Sequence, residues 1–176
     1  MNSISAQASI HSNSDSPDGI SVEYVQRSEN WGSFKLCLPN ICSWRAVSVQ
    51  GQKMLYVDFV KGHFINFEID VTALSDAVLA DWLVDKDTVE ADVQVDGKTV
   101  HSVVVTRDLR RTNRTLRMFF LVDRFGEDFL EELKNGKTLH VRYHIHSRTY
   151  GDRFLIRGSD KAIELAFEMS KRDARP

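Results

Sequence analysis

The chain has 176 residues, 42% of them hydrophobic and 27% charged, with a formal net charge of −2. That length and balance suit one domain with a core of useful size. The near-neutral charge excludes a bulk electrostatic pull toward nucleic acid or anionic lipid, and no apolar run approaches the roughly 18 residues needed to span a bilayer.

Residues 1–19 are rich in Ser, Asn, Asp and Gln, which predicts a disordered polar tail ahead of one globular domain over 20–176. They hold no apolar h-region, so the segment reads as a tail and not as an intact signal peptide. Ala6-Gln7-Ala8 has the small-x-small form of a cleavage site, without the apolar stretch that would give it meaning.

Short alternating or apolar runs follow at 20–25, 33–37, 42–49, 54–60 and 63–69, with Gly51 and Gly62 between them, and predict strands. Over 72–84, Leu74, Val78 and Trp82 recur at fours with Leu79 and Leu83 beside them, the period of a helix with Thr72 or Ser75 as N-cap. Residues 88–106 predict a hairpin. Val89, Ala91, Val93 and Val95 alternate with polar residues, and Asp96-Gly97 is a favoured type I′ turn pair. A two-residue turn there pairs Val93 with Val100 and Asp92 with His101, and puts Val100 and Val104 on the buried face.

Residues 107–117 predict an exposed, irregular, Arg-rich connection, and 116–122 another strand. A short amphipathic helix over 125–133 stops at Asn135-Gly136. Strands over 138–146 and 153–156 precede a final helix, capped by Ser159 and running to about 170. The order predicts an α+β, mostly β fold. It is an antiparallel, β-sandwich-like sheet with two or three short helices, one of them C-terminal.

Two segments carry a resemblance. One is Trp31-Gly-Ser-Phe-Lys-Leu-Cys37 followed by Cys42. The other is Phe129-Leu-Glu-Glu-Leu-Lys-Asn-Gly136-Lys-Thr-Leu-His-Val-Arg-Tyr143, then Gly151, then Phe154-Leu-Ile-Arg-Gly158-Ser-Asp-Lys-Ala162-Ile. With Val95-Asp96-Gly97 as the middle hairpin, this order resembles the bacterial invasion-associated locus B family over Trp31 to Leu165. The resemblance implies an envelope or exported protein with a β-sandwich-like fold and no catalytic residues to transfer. The chain departs from the family in lacking the second Cys pair before the short helix, and in showing no intact leader.

Cys37 and Cys42 are the only cysteines. Residues 38–41 suit a four-residue hairpin loop, which sets the two cysteines opposite each other within disulfide reach. An oxidising compartment would join them, whereas a reducing cytosol would keep two half-buried thiols. No third and fourth ligand is spaced for a metal. His140, Arg142, His144 and His146 share one strand face by parity. A catalytic zinc there would need a third protein ligand, with His101 the only other strand histidine that has a carboxylate near it in the hairpin, and a polar surface is the plainer reading.

Arg107, Arg110, Arg111, Arg114 and Arg117 form the one basic cluster, with Asp108 the sole acid among them. Arg forks suit phosphate and carboxylate, but the cluster holds no aromatics for stacking on bases. Asn113-Arg114-Thr115 fits a glycosylation sequon. No Gly-rich phosphate loop, Gly-x-Ser-x-Gly elbow or His-Glu-x-x-His occurs. The sequence therefore predicts a non-enzymatic binding or interaction module without a cofactor, of the bacterial envelope or exported, with a protein partner. Its rival is an intracellular module binding a polyanion or acidic partner through the Arg cluster. A metal-dependent enzyme on the His strand is a third class.

Overall fold

The computed structural model describes residues 21–28, 30–82, 88–110, 112–121 and 126–174. Its strands are β1 (Ser21–Ser28), β2 (Trp31–Leu38), β3 (Ile41–Gln50), β4 (Lys53–Val60), β5 (His63–Val71), β6 (Thr88–Val95), β7 (Val100–Arg110), β8 (Thr115–Leu121), β9 (Thr138–Ile145) and β10 (Arg148–Leu155). Helix α1 (Asp76–Asp81) follows β5, α2 (Gly126–Asn135) follows β8 and α3 (Ser159–Arg172) ends the chain. The fold is α+β and mostly β, as the element order predicts. One antiparallel ladder runs β1-β2-β3-β4-β5-β8-β7-β6-β9-β10.

Sandwich-like packing comes from curling of this ladder, because a twisted ten-stranded sheet buries its apolar face against itself. Among the described residues no backbone ladder closes it, but β10 lies against β3 and β4. Lys53 pairs with Asp152. The Gln50 side-chain amide donates to Leu155 O and accepts from Leu155 N, both at 2.8 Å. Strict alternation makes the interior. Val89, Ala91, Val93 and Val95 of β6 and Leu139, Val141, Tyr143 and Ile145 of β9 are all buried, and their neighbours in sequence face outward.

Two helices fill the cavity of the curl. Helix α3 packs chiefly on β3 and β2, with Ser33 Oγ donating to Ala162 O at 2.9 Å and Trp44 Nε1 to Asp173 Oδ2 at 2.9 Å. From α2, Phe129 packs on Phe67 (5.2 Å between ring centres), which stacks on Phe120 at 4.1 Å. Gly136 follows α2 where no side chain fits. A Cβ there would collide with Val95 and lie 2.8 Å from Glu132 O.

The β6–β7 hairpin corrects the expected register. Asp96 (φ 49°) and Gly97 (φ 73°) do make the left-handed turn, with Lys98 N donating to Val95 O at 2.8 Å. One extra residue, Thr99, then enters the returning strand, so Gln94 pairs with Val100, Val93 with His101 and Asp92 with Ser102. This one-residue bulge reverses the faces of β7. Val103 and Val105 are buried, while Val100 and Val104 are 45% and 58% exposed.

Other boundaries shift for local reasons. Strands β2 and β3 continue to the Leu38–Ile41 pair, so the expected four-residue loop is a two-residue turn. The helix expected over 72–84 begins only after Ser75, whose hydroxyl accepts from Val78 N. Before it, Thr72 N and Leu74 N are bonded to Gln52 O and Arg114 O, with Ala73 at φ 55°. Residues 83 and 84 of that expected helix lie outside the described residues. Ser159 is not the cap of α3. Gly158 holds that position at φ 78°, and the buried Ser159 hydroxyl donates to Leu133 O, a carbonyl left open at the end of α2. His146 sits in the turn after β9 at φ 54°, off the face that His140, Arg142 and His144 share. The polar tail of 1–19 lies outside the described residues.

Candidate functional site

The Arg-rich segment is no irregular connection. Arg107 and Arg110 lie on β7 and Arg117 on β8, paired as a hairpin through Arg110–Thr115, Asp108–Arg117 and Arg107–Met118. Arg114 sits in its turn at φ 54°. Folding also brings the cluster its own counter-charges and acceptors. Arg107 donates to Trp82 O at 2.9 Å, and Arg110 pairs with Asp108 at 3.0 Å. Arg114 pairs with Asp76, and Arg117 with Asp70 at 3.3 Å. Arg111 lies outside the described residues. Arg110 and Arg114 remain half exposed, so the hairpin is a solvated charge-paired surface.

Arg117 belongs to a larger network on the outer face of β3, β4, β5 and β8. Period-two alternation points Arg45, Asp58, Glu68 and Asp70 to this face, and antiparallel pairing sets Arg45 beside Asp58 and Asp70 beside Arg117. Arg45 donates to Asp58 Oδ2 at 2.8 Å, bridges to Glu68, and lies 4.3 Å above the Tyr56 ring. All three carboxylates are at most 5% exposed. Burial, then the hydrogen bond and charge of Glu68, push the Asp70 carboxyl up to about 7, against Arg117 and Arg45. Burial and the same acids push the Tyr56 phenol up to about 12. The signal for this network in the sequence is acids at alternate positions of apolar strands, as in Glu68-Ile69-Asp70.

Cys37 and Cys42 are direct cross-strand partners with Cα atoms 4.0 Å apart and sulfurs 2.04 Å apart. The loop they span is short, and closing it stabilises the chain by about 2 kcal/mol at most. The crosslink chiefly fixes the β2–β3 tip, where Leu38 and Ile41 are exposed.

Among the described residues, alternate positions of β6, β9 and β10 are exposed on the outer face of the sheet. Asp92 accepts from Ser102 Oγ at 2.8 Å and meets His144 Nε2 at 3.0 Å. The Ser102 hydrogen bond first, and then His144, hold its carboxyl below the usual range. Serine, aspartate and histidine lie in a row with the acid in the middle, so the hydroxyl has no base and the row is no nucleophilic triad. His101, expected beside Asp92, turns inward instead. Its Nε2 is 3.3 Å from Glu132 and its ring edge meets Phe129.

Beside that row a shallow groove of about 540 Å³ runs over Gly151, lined by Gln94, His140, Arg142 and Arg153. The ladder sets Gln94, His140 and Arg153 in one cross-strand row and Asp92, Arg142 and Gly151 in the next. The nearest acids are paired with other groups, Asp92 with His144 and Asp152 with Lys53, although Asp92 also feels the charge of Arg142. Arg142 was visible in the sequence as part of the His-strand face. Arg153 and Gly151 join it only through β9–β10 pairing.

Among the described residues no group of three or more His, Cys, Asp or Glu is arranged to hold a metal, and no helix is long and apolar enough to cross a membrane. Comparison of the chain with protein-family models, curated proteins and solved structures gives no match.

Proposed function

We propose that this protein is a non-enzymatic binding module of the bacterial envelope or exterior, with the open face of β6, β9 and β10 as its contact surface. The observation that carries this reading is the groove over Gly151. It presents Arg142 and Arg153, which form no salt bridge among the described residues, while the described arginines of the β7–β8 hairpin are engaged by Asp108, Asp76, Asp70 and Trp82 O. The opposed Cys37 and Cys42 support an oxidising compartment, as does the resemblance to the invasion-associated locus B family. The rival, an intracellular polyanion binder using Arg107, Arg110, Arg111, Arg114 and Arg117, is weakened by those counter-charges.

Thiol counting tests the compartment. Protein drawn from its native host under alkylating conditions should carry no free thiol, and two alkylated cysteines would move it to the cytosol. Charge reversal tests the rival surface. The Arg110→Glu/Arg114→Glu variant should keep whatever retention the protein shows on immobilised heparin, because each arginine already has an acid. Loss of that retention would restore the hairpin as the binding surface.

A further inference from the structure

We propose that the groove over Gly151 is a seat for a tetrahedral oxyanion of the phosphate type. This rests on the reading of β6, β9 and β10 as the contact surface, and it names the chemistry that surface takes. Three donors surround the spot. His140 and Arg153 face each other across the β9–β10 ladder, and Arg142 is the partner of Gly151 itself. The acids nearby are engaged elsewhere. Asp92, the cross-strand neighbour of Arg142, uses one oxygen for Ser102 and the other for His144. Asp152 also lines the groove, and its carboxylate is bound to Lys53. Arg142 and Arg153 thus make no salt bridge among the described residues, although Asp92 feels the charge of Arg142, and they stand in a concavity of a size that takes a small molecule.

The floor is Gly151. It has no side chain on the outer face, so an anion can approach the backbone between the two guanidinium groups. Nothing in the fold demands glycine there. A Cβ would meet only Val141 O, at 3.8 Å, an ordinary contact, and the residue is not in the left-handed region. A tetrahedral oxyanion offers oxygens in several directions to donors that arrive from several strands, whereas a carboxylate offers two in one plane.

The test is amide chemical-shift titration of the full chain with four probes: inorganic phosphate, a hexose monophosphate, the same hexose without phosphate, and acetate. Phosphate should shift the amides around 140–142 and 151–153 saturably, and acetate should bind several-fold more weakly. Tighter binding of the hexose monophosphate would identify an esterified ligand, and equal binding would identify the free ion. Two variants should each weaken phosphate by about tenfold or more, the loss of one charge-assisted contact. Arg142→Gln/Arg153→Gln removes the donors. Gly151→Val keeps both arginines, suits a strand and fills the seat. The proposal is overturned if the groove amides do not respond, if the hexose alone or acetate binds equally, or if Gly151→Val folds and binds phosphate undiminished. Such a failure would leave the thiol count, and the compartment read from it, unaffected.

Discussion

Replacing Arg45 with leucine should lower the folding stability by about 3–5 kcal/mol, the usual cost of removing one partner from a buried ion network. Asp58 and Glu68 are at most 5% exposed, and Arg45 is the cation that bridges them. Leucine would leave two buried carboxylates on adjacent strands, with only Asn66 beside Asp58 and Arg117, 3.9 Å from Glu68, to answer them. Their remaining routes, taking up protons or distorting the β3–β4 pairing, are both costly. Urea unfolding at neutral pH measures the effect directly. A loss below about 1 kcal/mol would mean that water or Arg117 replaces Arg45 without difficulty. The comparison that isolates the charge is a combined variant, with apolar residues at 45, 58 and 68 together. It should be far less damaged than Arg45→Leu alone, since no ion is left behind.

Stability should also fall as pH rises from about 4 to about 7, opposite to the slope expected of a salt-bridged carboxylate. The Asp70 carboxyl is pushed up to about 7 in the folded protein, against about 3.9 in an unfolded chain. Between those values the native state holds a proton that the unfolded state has lost. Unfolding is then increasingly favoured with pH, by about 1.4 kcal/mol for each pH unit of that interval. Above about 7 both states are ionised and the slope vanishes. Burial pushes the Asp58 carboxyl up as well, with the same sign. Asp92 works the other way. Its carboxyl is held low, so its contribution is present above the ordinary carboxylate range and lost as pH falls through its folded value. The stability maximum should therefore lie on the acid side of neutral. Urea midpoints at pH 5, 6, 7 and 8 give the curve, and Asp70→Asn should flatten most of it. A wild-type curve that rises over this range would show Asp70 ionised in the fold.

The strands were legible because outward polar and inward apolar residues alternate over whole segments, as from Val89 to Val95. The face of β7 was not, because Val103-Val104-Val105 offers an apolar residue to either parity. The choice falls to Thr99, a bulge residue with no mark in the sequence. His101 then packs inward on Phe129, and α2 supplies its partner Glu132. The Arg cluster was legible as charge and misleading as a site. The acids Asp70 and Asp76 that pair with Arg117 and Arg114 come from β5 and α1, dozens of residues earlier. The groove has the same difficulty in reverse. Arg142 and Arg153 read as ordinary surface residues until β9 and β10 pair and leave Gly151 bare between them.

A strand at the border of a sheet carries a row of unsatisfied peptide groups, and these can template the addition of a strand from another molecule. At Leu155 both groups, N–H and C=O, are already occupied by a side chain shaped like a peptide unit. Gln50 thus acts as a counterfeit neighbouring strand one residue long. At Leu155 neither peptide group is left to receive a strand from another molecule.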